Sequence, residues 1–448
     1  MEFKEFKELV VKEAKNRNID LYELYYSAEE STDVAMFNGE INSFTSSLLG
    51  GAAFRCIING RVGAAYSQEL SEEMAKSLVE RAYENALTLE KEEEAFFAEG
   101  GASYETYESV DMPELSETEL IKAASDANEA LKQSHEKITD RCQTEAVTGT
   151  QKVFLANSHG VDLSWESTID MLLMEAVVED QGETNNDYEM KAADPRTLDL
   201  NALAVKIADK AAAKIGSDKA PTGTVPVIFT GDAMCSLLMT FSTAFSAENA
   251  RKGLSVLAGK EGETVASELV TVTDDPFYEK NPARRNFDGE GSPAYRKNVI
   301  EKGVLNTLLY DLSSAKAAGK KTTGNASRAS YDSPVGIRPF TFVLQPGELT
   351  EEELFEKCGN GVLIDSLGGL HAGANPINGD FSLQSSGFMI ENGKKGAPVR
   401  SFTVSGNFFD MLKKIIALSD EVKIPRAGSL TAFASPAVLV EELAISGK

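Results

Sequence analysis

Two Asn-Gly pairs, Asn38-Gly39 and Asn59-Gly60, set the strongest constraint on how this chain can fold. Each pair separates β-prone runs, and both residues of a pair tolerate the positive φ angles that a tight hairpin turn requires. The tyrosine-rich run from Leu21 to Ala28 comes just before the first pair. We therefore predict consecutive antiparallel strands close to the N-terminus.

Helix signals surround these strands. The opening segment repeats apolar residues at helical spacing, namely Phe3, Phe6, Val10 and Ala14. Ser71 is placed to cap a helix that runs to about Leu89, and the acidic stretch Glu90–Glu94 ends this first unit. The capping box from Ser116 to Glu119 predicts another helix that continues to about Lys132.

The region after this helix contains long β-like runs and then another helix. The predicted strands are Thr139–Thr148, Gln151–Ala156 and Val161–Glu179, and the tight link 157–160 joins the last two. A helix is predicted from about Leu200 to Ile215, with Gly216 as its stop signal. Helix, antiparallel sheet and helix in this order are typical of an α+β domain.

A polar linker with two prolines, Ser217–Pro226, is the best candidate for a domain boundary. Beyond it glycine is dense, and short β-like runs occur at 225–230, 341–344, 387–391 and 400–404, with helices near 233–250 and 408–418. We predict an α+β protein whose N-terminal α+β domain, residues 1–220, has an antiparallel sheet and helices. Its division into 1–100 and 101–220 is left open. A mostly β C-terminal domain is predicted over 221–448.

Charge and hydropathy exclude several classes of protein. The 448 residues include 44 basic and 70 acidic ones, so the net charge is −26 and most of the surface repels phosphate backbones. No direct nucleic-acid partner is therefore expected. The N-terminus lacks the apolar core of a signal peptide, and no apolar run is long enough to span a membrane. Four widely separated cysteines are consistent with free thiols, so the predicted location is the cytoplasm.

The sequence contains few histidines that could bind a metal ion. Its three histidines, His135, His159 and His371, are never paired at the spacing that places two imidazoles on one helix face. We predict no metal ligand and no catalytic residue in this chain. The acidic pair in Asp274-Asp275-Pro276 could serve hydrolysis, but a turn in which an aspartate caps the backbone is the simpler interpretation.

The segment Ile364–Glu391 is the most informative loop in the chain. It combines five glycines with short polar side chains and one histidine, and glycine permits close approach of another backbone. Such a loop suits an extended peptide bound through backbone hydrogen bonds. The candidates for peptide binding or a protein interface are His371, Asn375, Asn378, Asp380 and Ser382. The alternative is a surface loop with a turn at Asn378-Gly379.

A series of short stretches resembles the TldD/PmbA family, often labelled modulator of DNA gyrase. The stretches are Gly50–Arg55, Arg251–Gly262, Val265–Ser267, Asp274–Pro276, Gly324–Arg328, Gly387–Gly393 and Val404–Leu412. Their order and spacing match the family along nearly the whole chain. No single stretch is decisive, but the series is specific.

The resemblance also indicates a branch of that family. TldD-like members carry HExxxH just before the stretch that corresponds to Arg251–Gly262, and they have a later cysteine ligand. Here the corresponding window is Leu237–Ala250, which contains no histidine and only one acid, Glu248. No cysteine follows Cys358. The chain is therefore identified with the PmbA/TldE branch, and no metal ligand can be carried over to it.

What the resemblance implies is a partner subunit. PmbA/TldE chains are similar to the non-zinc half of a TldD–TldE heterodimeric metallopeptidase, in which the HExxxH paralogue would hold zinc and cleave unfolded peptides or small labile proteins. This role would serve peptide maturation and proteolysis. One alternative is a homodimeric binding or regulatory protein without enzymatic activity. Another is an independent hydrolase that uses His371 or acids such as Asp275.

Overall fold

The protein is described from a computed structural model that covers residues 1–89, 96–110 and 112–447. The acidic stretch Glu90–Glu94 lies outside these described residues. No helix in the described part of the chain is both long and apolar enough to cross a membrane.

The N-terminal half is built on one antiparallel sheet of six strands, in the order β3-β2-β1-β4-β5-β6. Both Asn-Gly pairs form the predicted hairpin turns, because all four residues have φ between 51° and 79°. The sheet joins strands from both halves of the predicted N-terminal domain, since β1 pairs with β4 along its whole length. The strands are β1 (Tyr22–Phe37), β2 (Glu40–Ile58), β3 (Arg61–Ser67), β4 (Gln143–Asn157), β5 (Asp162–Asp180) and β6 (Glu183–Ala192).

Four helices cover one face of this sheet. They are α1 (Phe3–Asn16), α2 (Glu72–Thr88), α3 (Glu117–Lys132) and α4 (Leu200–Ala212), with a short 3₁₀ turn at Pro195–Thr197. Leu24 packs with α1 and α2, and Val34 on the same strand packs with α3 and α4. These two residues are ten positions apart, so they point to the same side of the strand. The predicted cap at Ser71 and the capping box at Ser116 are both confirmed.

Three sequence predictions for this half were inaccurate. The separate strands 139–148 and 151–156 are one strand, β4, because Gly149 stays extended and is paired on both sides, with Ser31 and Ile169. Strand β6 was missed because its polar residues carry no apolar alternation. Helix α4 ends at Ala212 and not at Ile215, although Gly216 does have a positive φ of 78°.

The C-terminal half contains a sheet that closes on itself. Its strand order is β18-β20-β8-β15-β16-β17-β7, and β17 also pairs with β20, which makes a five-stranded barrel of β20, β8, β15, β16 and β17. The strands of this sheet are β7 (Asp218–Lys219), β8 (Gly223–Phe229), β15 (Gly361–Gly368), β16 (Asp380–Glu391), β17 (Lys394–Asn407), β18 (Ile415–Leu418) and β20 (Val438–Ser446).

A smaller sheet and six helices pack around the barrel. The second sheet has the order β11-β10-β9-β14-β19, and a two-stranded ribbon pairs β12 with β13. These strands are β9 (Val272–Asp275), β10 (Lys297–Glu301), β11 (Val304–Leu305), β12 (Ala326–Ser327), β13 (Gly336–Ile337), β14 (Thr341–Leu344) and β19 (Ala432–Ala434). The helices are α5 (Gly231–Phe241), α6 (Ala247–Arg251), α7 (Leu312–Ala317), α8 (Glu351–Cys358), α9 (Leu370–Gly373) and α10 (Phe408–Lys413).

The predicted α+β class, with a mostly β C-terminal half, is confirmed. Two of the helix predictions need correction. The helix expected over 233–250 is interrupted by a 3₁₀ turn, Ser242–Phe245, between α5 and α6. The helix expected over 408–418 ends at Lys413, because the apolar run Ile415–Leu418 pairs with β20 as a strand.

The bare face of the six-stranded sheet packs against the C-terminal half. Tyr25, Val153, Leu155 and Trp165 form a buried cluster with Phe287. The Trp165 indole Nε1 donates a hydrogen bond of 2.7 Å to the Arg284 carbonyl oxygen. One sheet therefore serves two cores, with helices on one side and the C-terminal half on the other.

Candidate functional site

The window Leu237–Ala250 lies on α5, the 3₁₀ turn and α6, directly after barrel strand β8. Thr230 caps α5, because its side-chain oxygen accepts a hydrogen bond from the Ala233 N–H. Leu237, Leu238 and Phe241 are buried, so the inner side of this helix is apolar. In a TldD-like chain this segment would carry the metal ligands. Here the side chains that face the core are apolar.

Phenylalanine rings fill the space beside the window. Phe241 stacks on Phe408 with a centroid distance of 4.6 Å and an interplanar angle of 11°. It also lies 6.4 Å from both Phe381 and Phe409. One turn further on, Phe245 makes an edge contact of 5.2 Å with Phe342. The window therefore lies on a closely packed layer of aromatic rings.

Three polar side chains of the window form hydrogen bonds with neighbouring groups. The Thr240 hydroxyl donates to the Ser236 carbonyl at 2.8 Å, and the Ser242 hydroxyl donates to the Met239 carbonyl at 2.8 Å. Glu248 accepts two hydrogen bonds of 2.8 Å from Arg251. These hydrogen bonds hold the pKa of Glu248 below its ordinary value. The Thr240 and Ser242 hydroxyls and the Glu248 carboxylate are therefore all paired.

A zinc ion does not fit these residues. Protein zinc sites use three or four histidine, cysteine or carboxylate ligands, and the described residues contain no cluster of three such side chains that could hold a metal. The one cysteine on α5, Cys235, is buried, and its thiol faces the Phe433 carbonyl at 3.2 Å. Burial raises the pKa of this thiol well above its ordinary value, which disfavours the thiolate that binds metal.

The five candidate residues of the glycine-rich loop are all exposed. His371 lies on the short helix α9. The Asn378 side chain donates to Asp380 Oδ2 at 2.8 Å and accepts from the Asp380 N–H at 3.0 Å. The Asn375 carbonyl accepts from the Gly379 N–H, while its N–H donates to the Asp380 carbonyl. Ser382, at the start of β16, accepts from the Ser405 hydroxyl at 3.1 Å.

One residue that fixes this loop was not among the candidates. The Asn407 side-chain amide donates to the Asn378 carbonyl at 2.8 Å and to Asp380 Oδ1 at 2.9 Å. Its oxygen accepts from the N–H groups of Phe409 and Asp410, so Asn407 also caps α10. An asparagine immediately before an apolar run is the signal that could have identified it. The structure joins Asn375, Asn378 and Asp380 into one hydrogen-bonded turn.

The loop and the window are neighbours in space. Phe381, the residue after Asp380, packs on Phe241 of the window. Gly379 approaches the Phe409 ring so closely that a Cβ built at position 379 would lie 2.6 Å from it, and its φ of 88° suits glycine. Two features far apart in the sequence therefore meet on one side of the barrel.

The acidic pair at 274–275 has a structural role. Asp274 is fully buried and accepts hydrogen bonds from Lys297 Nζ at 2.8 Å, Asn325 Nδ2 at 2.7 Å and the Phe340 N–H at 2.7 Å. Asp275 accepts from the Phe277 N–H at 2.9 Å, as the turn interpretation predicted. Because every contact of Asp274 is a stabilising one, this pair gives no support to an independent hydrolase.

Comparison with known protein families identifies the chain. A model of the PmbA/TldA metallopeptidase C-terminal domain matches residues 222–447, which is half of the chain. The chain belongs to the PmbA/TldD family. The models of domain 1 and of the central domain match residues 22–86 and 111–216. The PmbA/TldD resemblance that the sequence stretches carried is thereby confirmed.

Individual relatives span nearly the whole chain. It is 28% identical over 398 residues to the metalloprotease PmbA homolog of Haemophilus influenzae, covering 86% of this chain and 83% of the relative. It is 27% identical over 400 residues to an uncharacterized protein of Methanocaldococcus jannaschii, covering 89% and 91%.

Solved structures with the same fold come from the same family. A Thermotoga maritima protein proposed to modulate a DNA gyrase superimposes with a TM-score of 0.90 at 30% identity, covering 99% of this chain and 100% of that one. TldE from Thermococcus kodakarensis gives a TM-score of 0.87 at 23% identity, covering 98% and 99%. At that identity, the likeness to TldE shows a shared fold. The chain is thus a metalloprotease-like member of the PmbA/TldD family.

Proposed function

We propose that this chain is the non-zinc, PmbA/TldE-like subunit of a cytoplasmic heterodimeric metallopeptidase that acts on unfolded peptides or small labile proteins. A TldD-like paralogue with HExxxH would hold the zinc, activate water and cleave the peptide. This chain would complete the chamber that receives the peptide. It would bind no cofactor of its own.

The observation that carries this proposal is the state of the window. The catalytic subunit of a zinc peptidase needs metal ligands that leave one coordination position of the zinc open for water. At the place where the resemblance locates that ligand set, this chain has Phe241 stacked on Phe408 and hydroxyls bonded to the helix backbone. A packed apolar surround with no ligand side chain suits a supporting subunit.

We expect the purified chain to contain no stoichiometric zinc and to leave casein and unstructured peptides intact. Addition of the HExxxH paralogue from the same organism should give zinc-dependent cleavage, because the paralogue supplies the ligands that the window lacks. Metal content by mass spectrometry and hydrolysis of a fluorogenic peptide check this. The matched control is the same mixture with the motif glutamate of the paralogue changed to glutamine, which should be inactive. Tightly bound zinc together with hydrolysis by the lone chain would refute the proposal.

The loop 370–386 is proposed to contact either the peptide or the partner subunit. Ser382 is exposed at the start of β16, so Ser382→Trp would fill the space in front of the loop without disturbing the core. We expect cleavage by the mixed complex to fall about tenfold, a change of about 1.4 kcal/mol. The control is Ser164→Trp, at an exposed serine on β5.

Two readouts separate the two roles of this loop. Weaker binding of the paralogue in gel filtration would assign Ser382 to the interface, whereas intact binding with a raised KM would assign it to the peptide. If Ser382→Trp changes neither binding nor cleavage, the loop has neither role.

A further inference from the structure

A small slot opens on the surface between α6 and α7, at the C-terminal end of the window. Its volume is about 210 Å³. We call it the alanine slot, because six of the residues that line it carry a methyl group or no side chain, namely Ala247, Ala250, Ala258, Gly259, Ala317 and Ala318. The first two of these also belong to the window, so the slot and the candidate site share one helix.

Hydrogen bonds hold the walls of the alanine slot in place. The Ala247 N–H donates to the Leu309 carbonyl at 2.9 Å, which ties α6 to the segment that precedes α7. Glu261, which also lines the slot, accepts hydrogen bonds of 2.9 Å from the Leu308 N–H and from the Tyr310 hydroxyl. A ligand would therefore meet a preformed surface, and little ordering of the protein would oppose its binding.

The charge around the alanine slot differs from the charge of the chain as a whole. Six basic and four acidic residues line the slot or lie within three positions of a lining residue, whereas the whole chain has 44 basic and 70 acidic residues. Arg251 and Lys252 share one carboxylate, that of Glu248, so this end of the slot keeps an excess of positive charge. Lys316 and Lys321, on and just after α7, are exposed. The slot is therefore a largely apolar depression with a basic rim.

We propose that the alanine slot binds one segment of an acidic unfolded peptide, with a small aliphatic side chain inside the slot and carboxylates against the basic rim. Protein sites for whole drug-sized molecules have volumes of about 300–1,000 Å³, so a slot of about 210 Å³ suits one or two side chains. The carboxylate of Glu261 inside the slot disfavours a phosphate group there. This inference rests on the proposed function and adds to it a preference for acidic peptides.

The basic rim gives this binding a recognisable salt dependence. A net charge of −26 repels acidic peptides over most of the surface of the chain. An acidic peptide held at the rim should bind more weakly as ionic strength rises, because salt screens the local attraction. Binding that is limited by the overall repulsion would instead become tighter as ionic strength rises.

Binding of labelled peptides to the lone chain tests the proposal. The probe is a short unstructured peptide of glutamate, glycine and valine, followed by fluorescence anisotropy, and the reference is the same peptide with lysine in place of glutamate. Ala317→Trp fills the alanine slot from an exposed position on α7, so we expect it to weaken binding of the acidic peptide about tenfold and to leave the basic peptide unaffected. The matched control is Ala202→Trp, at an exposed alanine on α4, which should change neither.

A second variant changes the charge of the rim and leaves the shape of the slot intact. Lys316→Glu with Lys321→Glu should also weaken binding of the acidic peptide about tenfold, and it should abolish the weakening by salt. The control makes the same change of charge at exposed positions on α2 and α3, Lys76→Glu with Lys122→Glu, and should have a much smaller effect.

Three results would overturn the proposal. One is an acidic peptide that does not bind, or that binds Ala317→Trp as well as the unchanged chain. Another is displacement of the peptide by inorganic phosphate beyond that by chloride at equal ionic strength, which would indicate a simple anion site. The third is weaker binding of the HExxxH paralogue, and not of the peptide, to Ala317→Trp, which would assign the slot to the partner subunit. The proposed function is tested separately, because peptide binding by the lone chain needs neither zinc nor cleavage.

Discussion

Changing Arg328 to alanine is expected to lower the free energy of unfolding by about 3–5 kcal/mol, because it leaves a buried carboxylate without its main partner. The side chains of Glu23 and Arg328 are 1% and 2% exposed, and Arg328 donates a hydrogen bond to Glu23. Burial alone would disfavour the charge on Glu23. The charges of Arg328 and Arg55 outweigh it and hold the pKa of Glu23 below its ordinary value.

The position of this ion pair makes its loss severe. Glu23 lies on β1 of the N-terminal sheet, and Arg328 lies just after β12 in the C-terminal half. The Arg328 guanidinium also lies over the ring of Tyr25, 4.4 Å from its centroid. Arg328→Ala therefore removes an ion pair and a cation–π contact that join the two halves. Urea unfolding followed by tryptophan fluorescence reports the change, because Trp165 lies in the same contact region.

Two controls separate the buried pair from an ordinary surface pair. Lys76→Ala breaks an exposed i,i+4 pair with Glu72, and because solvent screens this pair the urea midpoint should hardly move. The double variant Glu23→Met, Arg328→Met should recover part of the loss, because both fully buried charges are then absent and only Arg55, whose side chain is 20% exposed, loses its partner. A cost for Arg328→Ala as small as that of Lys76→Ala would mean that the pair does not hold the halves together.

Changing Phe241 to alanine is expected to lower the free energy of unfolding by about 3–5 kcal/mol. Phe241 is fully buried and contacts Phe381, Phe408 and Phe409, so its removal opens a cavity under the window. Phe241→Leu should cost about 1–2 kcal/mol, since it keeps most of the hydrocarbon. Thermal and urea unfolding of both variants provide the measurement.

The matched control for Phe241 is an exposed aromatic residue. Tyr188→Ala on β6 should change the unfolding free energy by less than about 1 kcal/mol. If Phe241→Ala is as mild as Tyr188→Ala, the window is loosely packed and could admit a ligand set after all. The proposal of a supporting subunit would then lose its main observation.

Local sequence signals predicted the first elements well. The Asn-Gly turns and the caps at Ser71 and Ser116 depend on neighbours within a few residues, so they can be read without tertiary information. Strand β6 was not predicted, because its own composition carries no strand signal. Pairing with β5 holds it extended. Likewise Gly149 does not end β4, because strands on both sides hold it in place.

Some features of the candidate site could likewise be predicted from the sequence, whereas others depended on the tertiary structure. The sequence by itself determined the hairpins, the fold class and the family, and it showed that the window contains no histidine. Only the tertiary structure placed Phe381 and Phe408 against Phe241 and joined Glu23 to Arg328 across 305 positions. The physical reason is that turns and caps are set by bonds between near neighbours, whereas barrel closure, ring packing and buried ion pairs depend on which distant segments are brought together when the core excludes water.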